Sequence, residues 1–288
     1  MEKIFISNLL KELSKTSPAY SWFPPPKTIV IENDEIHVWR AFLDLTTSHA
    51  RALLHHTLSA DEQARAERFH FQKDREHFIV ARAVLRDILS RYLNRQPDAL
   101  RFRYNNYGKP FLARELSGNK LRFNVSHSYG LALYAITRDR EIGIDLEHMR
   151  SDLAIEQIAE RFFSPREVTM LRTLPGNMQK EAFFNCWTRK EAYIKARGEG
   201  LSTPLPLDQF DVSLAPGEAA VLLRTKEEPY RWSLYKLDPA PGYIAAFAAE
   251  GKRCQFRCWQ WQGVVDGFQG WHEESKRRTA LAANSFRH

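Results

Sequence analysis

Cysteine is scarce in this chain. Only Cys186, Cys254 and Cys258 occur among its 288 residues, an odd number scattered in a long sequence. That excludes a disulfide framework. Three thiols without a neighbouring histidine also make a poor zinc site. Long apolar runs are missing too: none approaches the roughly 18 residues of a membrane span, and mean hydropathy is −0.48. Met1 to Leu13 is interrupted by charges every few positions, so it lacks the apolar stretch of a secretory signal. Ile6, Leu9, Leu10 and Leu13 predict a short amphipathic helix there instead. No Gly-x-Ser-x-Gly elbow is present to activate a serine nucleophile. These absences point to a cytoplasmic globular protein, not bound to a membrane.

What is present is ordinary in amount and uneven in sign. Hydrophobic residues are 43% and charged residues 27% of the chain, which excludes collagen, coiled coil and wholesale disorder. At ~100–200 residues per domain there is room for about two domains or one large one. Lys and Arg number 42 against 35 Asp and Glu, a net charge of +7. A basic excess suits anionic partners: nucleic acid, phosphorylated metabolites or acidic proteins.

Pro24-Pro25-Pro26 precedes a first strand over Ile36 to Phe42. Ser59 before Ala60-Asp61-Glu62 marks a helix start. A long helix is predicted from about Asp74 to Leu93, with Phe78, Ala81, Leu85, Ile88 and Leu89 at helical spacing. Tyr107-Gly108-Lys109-Pro110 reads as a turn. Leu121 to Val125 and Leu131 to Ile136 read as strands around a bend at Ser126-His127-Ser128, followed by a strand from Ile142 to Glu147. Helical patterning covers Ala154 to Phe163 and Glu181 to Ala196, and Phe210 to Ala249 reads as strands. A weak echo pairs the run starting at Phe78 with that starting at Phe184, and Leu131 to Ile136 with Tyr243 to Ala248. Two similar α+β halves fit it.

Three segments carry chemistry. In Ile142-Gly143-Ile144-Asp145-Leu146-Glu147, period-two alternation puts the three aliphatics on one face. Asp145 and Glu147 then share the other face, ~6–7 Å apart along the strand. Adjacent carboxylates repel unless a cation or proton lies between them, and oxygen ligands suit Mg²⁺ or Mn²⁺. Solvated acids on an edge strand are the plainer alternative at this point. On the helix from Trp187 to Lys195, Glu191 and Lys195 stand i, i+4 on one face. That is also the spacing of an ordinary surface salt bridge. In Phe123-Asn124-Val125-Ser126-His127-Ser128, serine and histidine at a strand end suit a phosphate, or a structural turn.

The full set adds Arg161-Phe162-Phe163-Ser164 with Glu167, and Gly198-Glu199-Gly200-Leu201. In this order the chain resembles the 4′-phosphopantetheinyl transferases of the surfactin-synthetase-activating type over roughly Ser59 to Ala249. The resemblance implies two similar α+β subdomains about a pseudo-two-fold axis, with the site between them. The first half is then 1–140, on the coenzyme 3′-phosphate side. The second is 141–262, on the metal and pyrophosphate side, and 263–288 is a loosely held tail. It implies a monomer that moves the phosphopantetheine arm of coenzyme A to a serine of apo acyl or peptidyl carrier proteins, acidic around that serine. Metal ligands fall on Asp145, Glu147 and Glu191. Coenzyme positions fall on Lys109, Ser126, His127, Asp145, Lys190 and Lys195, with Arg65 and Arg82 as further basic positions. Lys195 assists the pyrophosphate charge, and Glu191 is the candidate base, directly or through water. The chain departs from the type member at Glu62, where that protein has lysine. A nucleic-acid-binding protein is disfavoured, because acidic motifs interrupt the basic residues. A metal-dependent phosphohydrolase is the enzymatic alternative.

Overall fold

The computed structural model describes residues 21–44, 55–113, 120–198, 207–224, 231–252 and 254–262. The expected N-terminal helix and the tail lie outside them. Within them the chain runs β1 (Trp22–Phe23), β2 (Glu35–Phe42), α1 (Ala60–Ala66), α2 (Gln72–Leu93), β3 (Phe102–Tyr104), β4 (Pro110–Leu112), β5 (Leu121–Ser128), β6 (Leu131–Arg138) and β7 (Ile142–His148). There follow α3 (Ile155–Phe162), α4 (Pro165–Thr173), α5 (Gly176–Arg197), β8 (Asp211–Val212), β9 (Leu222–Arg224), β10 (Trp232–Leu237), β11 (Tyr243–Glu250) and β12 (Gln255–Gln260).

The order repeats. A strand, two or three helices, a small hairpin and a longer antiparallel hairpin form β2 to β6, then β7 to β11. The sheets repeat as well, with β2-β6-β5 inside the first and β7-β11-β10 as the second. Their outer faces pack on the two 22-residue helices: Trp39, Tyr134 and Phe123 lie with Val84 and Ile88 of α2, and Ala246 and Ala248 lie with Phe184 and Tyr193 of α5. The inner faces meet through Ile36, Val38, Leu133, Ile144, Leu146 and Phe247. The result is helix, sheet, sheet, helix, an α+β architecture of two like halves. Among the described residues no helix is long and apolar enough to cross a membrane.

Each half closes on a similar clamp. In the first, Glu62 accepts from the Ser59 backbone N–H at 3.0 Å to cap α1, and Arg86 of α2 binds it at 2.7 Å. Arg86 also donates to the carbonyls of Pro97 and Leu100 beyond α2. In the second, Ser164 and Glu167 cap α4 reciprocally. Lys190 of α5 binds Glu167 at 2.8 Å and donates to the carbonyls of Leu207 and Phe210 beyond α5. The chain's departure at Glu62 is thus a buried cap, neutralised from within.

Two differences from the sequence reading bear on the site and the sheets. The segment Ser126 to Ser128 is not a bend but the end of β5. The turn falls at Tyr129-Gly130, with φ of 45° and 86°, the left-handed pair that a two-residue hairpin turn requires. Residues 255–260, within the expected second half, form β12. It pairs parallel to β2 and so extends the first half's sheet.

Candidate active site

The site lies where β7, α5 and β5 converge. Gly143 allows it. A Cβ there falls 2.1 Å from the Ala192 carbonyl oxygen and 2.2 Å from the Ala196 nitrogen. Only glycine lets α5 lie this close on β7, bringing Glu191 and Lys195 over Asp145. Lys195 Nζ donates to Asp145 Oδ1 at 2.6 Å and to Ser126 Oγ at 3.1 Å, and Ser126 Oγ donates to the same carboxylate oxygen at 3.0 Å. Glu147, two residues along, accepts from Ser128 Oγ at 3.1 Å.

The electrostatics follow from burial and crowding. Burial, then the Asp145 charge, pushes the Glu191 carboxyl up to about 7, against the pull of Lys195. The same two causes raise Glu147. Burial opposes charge on Lys195, but Asp145 with its hydrogen bond, then Glu191 and Glu147, outweigh it and hold the ammonium above the usual lysine range. Asp145 Oδ2 and Glu191 Oε1 are buried without a hydrogen-bond partner.

Not every expected site residue comes here. Lys190 is fully buried, its ammonium satisfied by Glu167 and two carbonyls and set 4.3 Å over the Phe210 ring. Lys109 also points inward. It donates to the carbonyls of Ile142 at 3.1 Å and Lys195 at 2.7 Å, tying the Tyr107-Gly108-Lys109-Pro110 turn to β7 and to the negative end of α5. Both lysines therefore help hold the walls of the cleft together. A cavity of about 340 Å³ adjoins Lys109, lined also by Asn105, Phe111, Arg122 and Glu141.

On the α2 side of β5, His127 is exposed. Its ring edge reaches solvent, yet the protein packed around it desolvates the imidazole and, with the charges of Lys195, His77, Arg82 and Arg65, holds it below the usual histidine range. Arg65 and Arg82 do therefore share one field with it. Arg82 lies over the rings of Phe102 and Tyr104, with Nη1 buried and unpaired. Arg65 lines a cavity of about 510 Å³ with Arg68, Phe69 and Tyr104. Two contributors went unread in the sequence: Ser128, which holds Glu147, and Asn124, whose Oδ1 accepts from the Ile144 N–H at 2.8 Å. The signal for both was the alternation Asn124, Ser126, Ser128 against Leu121, Phe123, Val125.

The three carboxylates of the expected metal triad are not drawn together into a ready-made cage. Among the described residues no three His, Cys, Asp or Glu side chains are gathered to hold an ion. Asp145 Oδ1 is taken by Lys195 and Ser126, and Glu147 Oε2 by Ser128. The donor chemistry nevertheless suits a hard cation, since two buried carboxylate oxygens stand unpaired.

Comparison with known proteins decides the family. Residues 141–248 match the model of the 4′-phosphopantetheinyl transferase superfamily, and 46–137 that of the 4′-phosphopantetheinyl transferase N-terminal region. The 4′-phosphopantetheinyl transferase HetI of Nostoc sp. strain PCC 7120 is 40% identical over 242 residues, 84% of this chain and 99% of that protein. The chain belongs to the 4′-phosphopantetheinyl transferase superfamily. The transferase Sfp of Bacillus subtilis strain 168 is 32% identical over 193 residues, 67% of this chain and 82% of that one. The two matched regions meet between β6 and β7, where this transferase repeats its fold.

Proposed function

We propose that this transferase moves the 4′-phosphopantetheine arm of coenzyme A onto a serine hydroxyl of an apo acyl or peptidyl carrier protein, releasing 3′,5′-ADP. The observation that carries the reading is charge at the β7–α5 seam. Asp145, Glu147 and Glu191 with Lys195 leave two formal negative charges, the complement of one divalent cation. Asp145, Glu147 and Glu191 would hold Mg²⁺ or Mn²⁺, which supplies charge neutralisation for the pyrophosphate. The serine oxygen forms a bond to the β-phosphorus. The bond to the bridging oxygen breaks, and its electron pair leaves on 3′,5′-ADP. Glu191 takes the serine proton, directly or through a water. Lys195 stands on Asp145 facing the pyrophosphate charge, and Arg65, Arg82 and His127 receive the 3′-phosphate.

The net charge of +7 supports an acidic carrier. Two like halves in one chain support a monomer, and three free buried cysteines support the cytoplasm. The test incubates the protein with coenzyme A, MgCl₂ and an apo acyl carrier protein and weighs the carrier. A gain of one phosphopantetheine, lost with EDTA, is expected. Consumption of coenzyme A without that gain overturns transfer in favour of hydrolysis.

A further inference from the structure

β5 and β7 belong to different sheets, and β5 shares its backbone ladder with β6. Side chains join β5 to β7 instead. Asn124 takes the Ile144 N–H, Ser126 reaches Asp145, and Ser128 reaches Glu147. The third rung is directional. The His148 N–H donates to Ser128 Oγ at 3.2 Å. A hydroxyl has one proton, so with that lone pair filled the proton goes to Glu147. His148 is itself anchored: its ring stacks on Tyr129 at 4.6 Å and 14°, and meets Tyr243 edge-on at 4.9 Å. Tyr243 Oη donates back to the Tyr129 carbonyl at 2.6 Å. Ser128 thus holds one oxygen of Glu147 from a fixed strand end.

We propose that Ser128 is a positioning residue, whose hydroxyl orients Glu147 so that its second oxygen is offered to the cation of the transfer site. This rests on reading Asp145, Glu147 and Glu191 as the cation's ligands. Groups that orient metal ligands typically alter metal affinity or activity by about 10–100-fold when removed. A single neutral hydroxyl belongs at the low end.

The test compares wild type, Ser128→Ala, Ser128→Thr and Glu147→Gln. Mn²⁺ binding is followed by the loss of the free-ion electron paramagnetic resonance signal. The Mg²⁺ concentration for half-maximal transfer and the coenzyme A KM at saturating Mg²⁺ are measured alongside. Ser128→Ala should weaken Mn²⁺ binding about 10-fold and raise the Mg²⁺ requirement equally. It should leave the coenzyme A KM within about twofold, and Ser128→Thr should restore both metal readouts. Wild-type Mn²⁺ affinity in Ser128→Ala overturns the role of Ser128, as does a defect that threonine does not rescue. A wild-type protein that transfers the arm yet binds Mn²⁺ no better than Glu147→Gln overturns the ligand reading itself, and Ser128's role with it.

Discussion

Replacing Gly143 by alanine should separate α5 from β7 and remove activity through distance alone. The added Cβ falls 2.1 Å from the Ala192 carbonyl oxygen, 2.2 Å from the Ala196 nitrogen and 2.7 Å from the Lys195 carbonyl carbon. All three are backbone atoms, so no rotamer change relieves the clash. Overpacking a tight contact costs about 1–3 kcal/mol, and the relief available is for the helix to withdraw by about 1 Å. Lys195 then leaves its 2.6 Å bond to Asp145, and Glu191 retreats with it. A displacement of about 1 Å at reacting groups costs on the order of 100-fold in rate. The measurement is kcat for carrier modification beside the melting temperature, with Gly176→Ala as control, since a Cβ at Gly176 meets nothing within 4 Å. Gly143→Ala with wild-type kcat would refute the claim that this contact sets the site.

Lys190→Met should lower the melting temperature sharply, since leaving Glu167 buried without its cation costs about 3–5 kcal/mol; thermal denaturation with and without coenzyme A checks that the loss is one of folding. Lys195→Met, at a half-buried residue, should abolish transfer with a smaller change in melting temperature. His37 is pressed down to about 4 by burial, against the pull of Glu35. Being neutral in the folded state, it contributes stability that is intact above about pH 6.5 and is lost as pH falls towards 4. The loss is on the order of 3 kcal/mol, and in urea titrations the stability gap between wild type and His37→Gln should stay constant above about pH 6.5 and shift against wild type by that amount as pH falls towards 4. Arg65→Ala and His127→Ala should each weaken coenzyme A binding by about 10–150-fold while sparing 3′-dephospho-coenzyme A, read by calorimetry; equal losses for both ligands would remove these residues from the 3′-phosphate.

The alternation in β7 was legible because period two is local, and so was the shared face of Glu191 and Lys195, four residues apart on a helix. The inward turn of Lys190 was legible by the same rule. Adjacent helical residues point about 100° apart, which places Lys190 off the face that Glu191 shares with Lys195. The family resemblance drew Lys190 in, and helical geometry puts it out. Lys109 was not legible, because its partners are carbonyls of residues 33 and 86 positions away. Nor was β12, whose partner strand is some 220 residues earlier and whose alternation is blurred by Trp259 and Arg257. The internal echo was real but set in a slightly different register on the helices. The clamps equate Arg86 with Lys190, which pairs Phe78 with Ala182 and not with Phe184.

That equivalence bears on how many cations the transferase binds. Counting along the helices from Arg86 and Lys190, Asp87 stands for Glu191 and Arg91 for Lys195. Matching the hairpins through Tyr134 and Ala246, Trp39 stands for Asp145 and Ala41 for Glu147. At these positions the first half therefore keeps one acid and one base on its helix, and neither carboxylate on its strand. Arg91 pairs with Asp87 at 3.0 Å and lies 5.8 Å over the Trp39 ring. Asp87 also accepts from Trp261 Nε1 at 2.9 Å. One carboxylate against one guanidinium leaves no charge for a cation to neutralise, whereas the second half leaves two. Mn²⁺ titration should thus saturate at one ion per chain, and Asp87→Asn should leave that stoichiometry unchanged while Asp145→Asn abolishes it. Two equivalent ions per chain, or loss of the ion on altering Asp87, would show that the repeat preserved its chemistry as well as its fold.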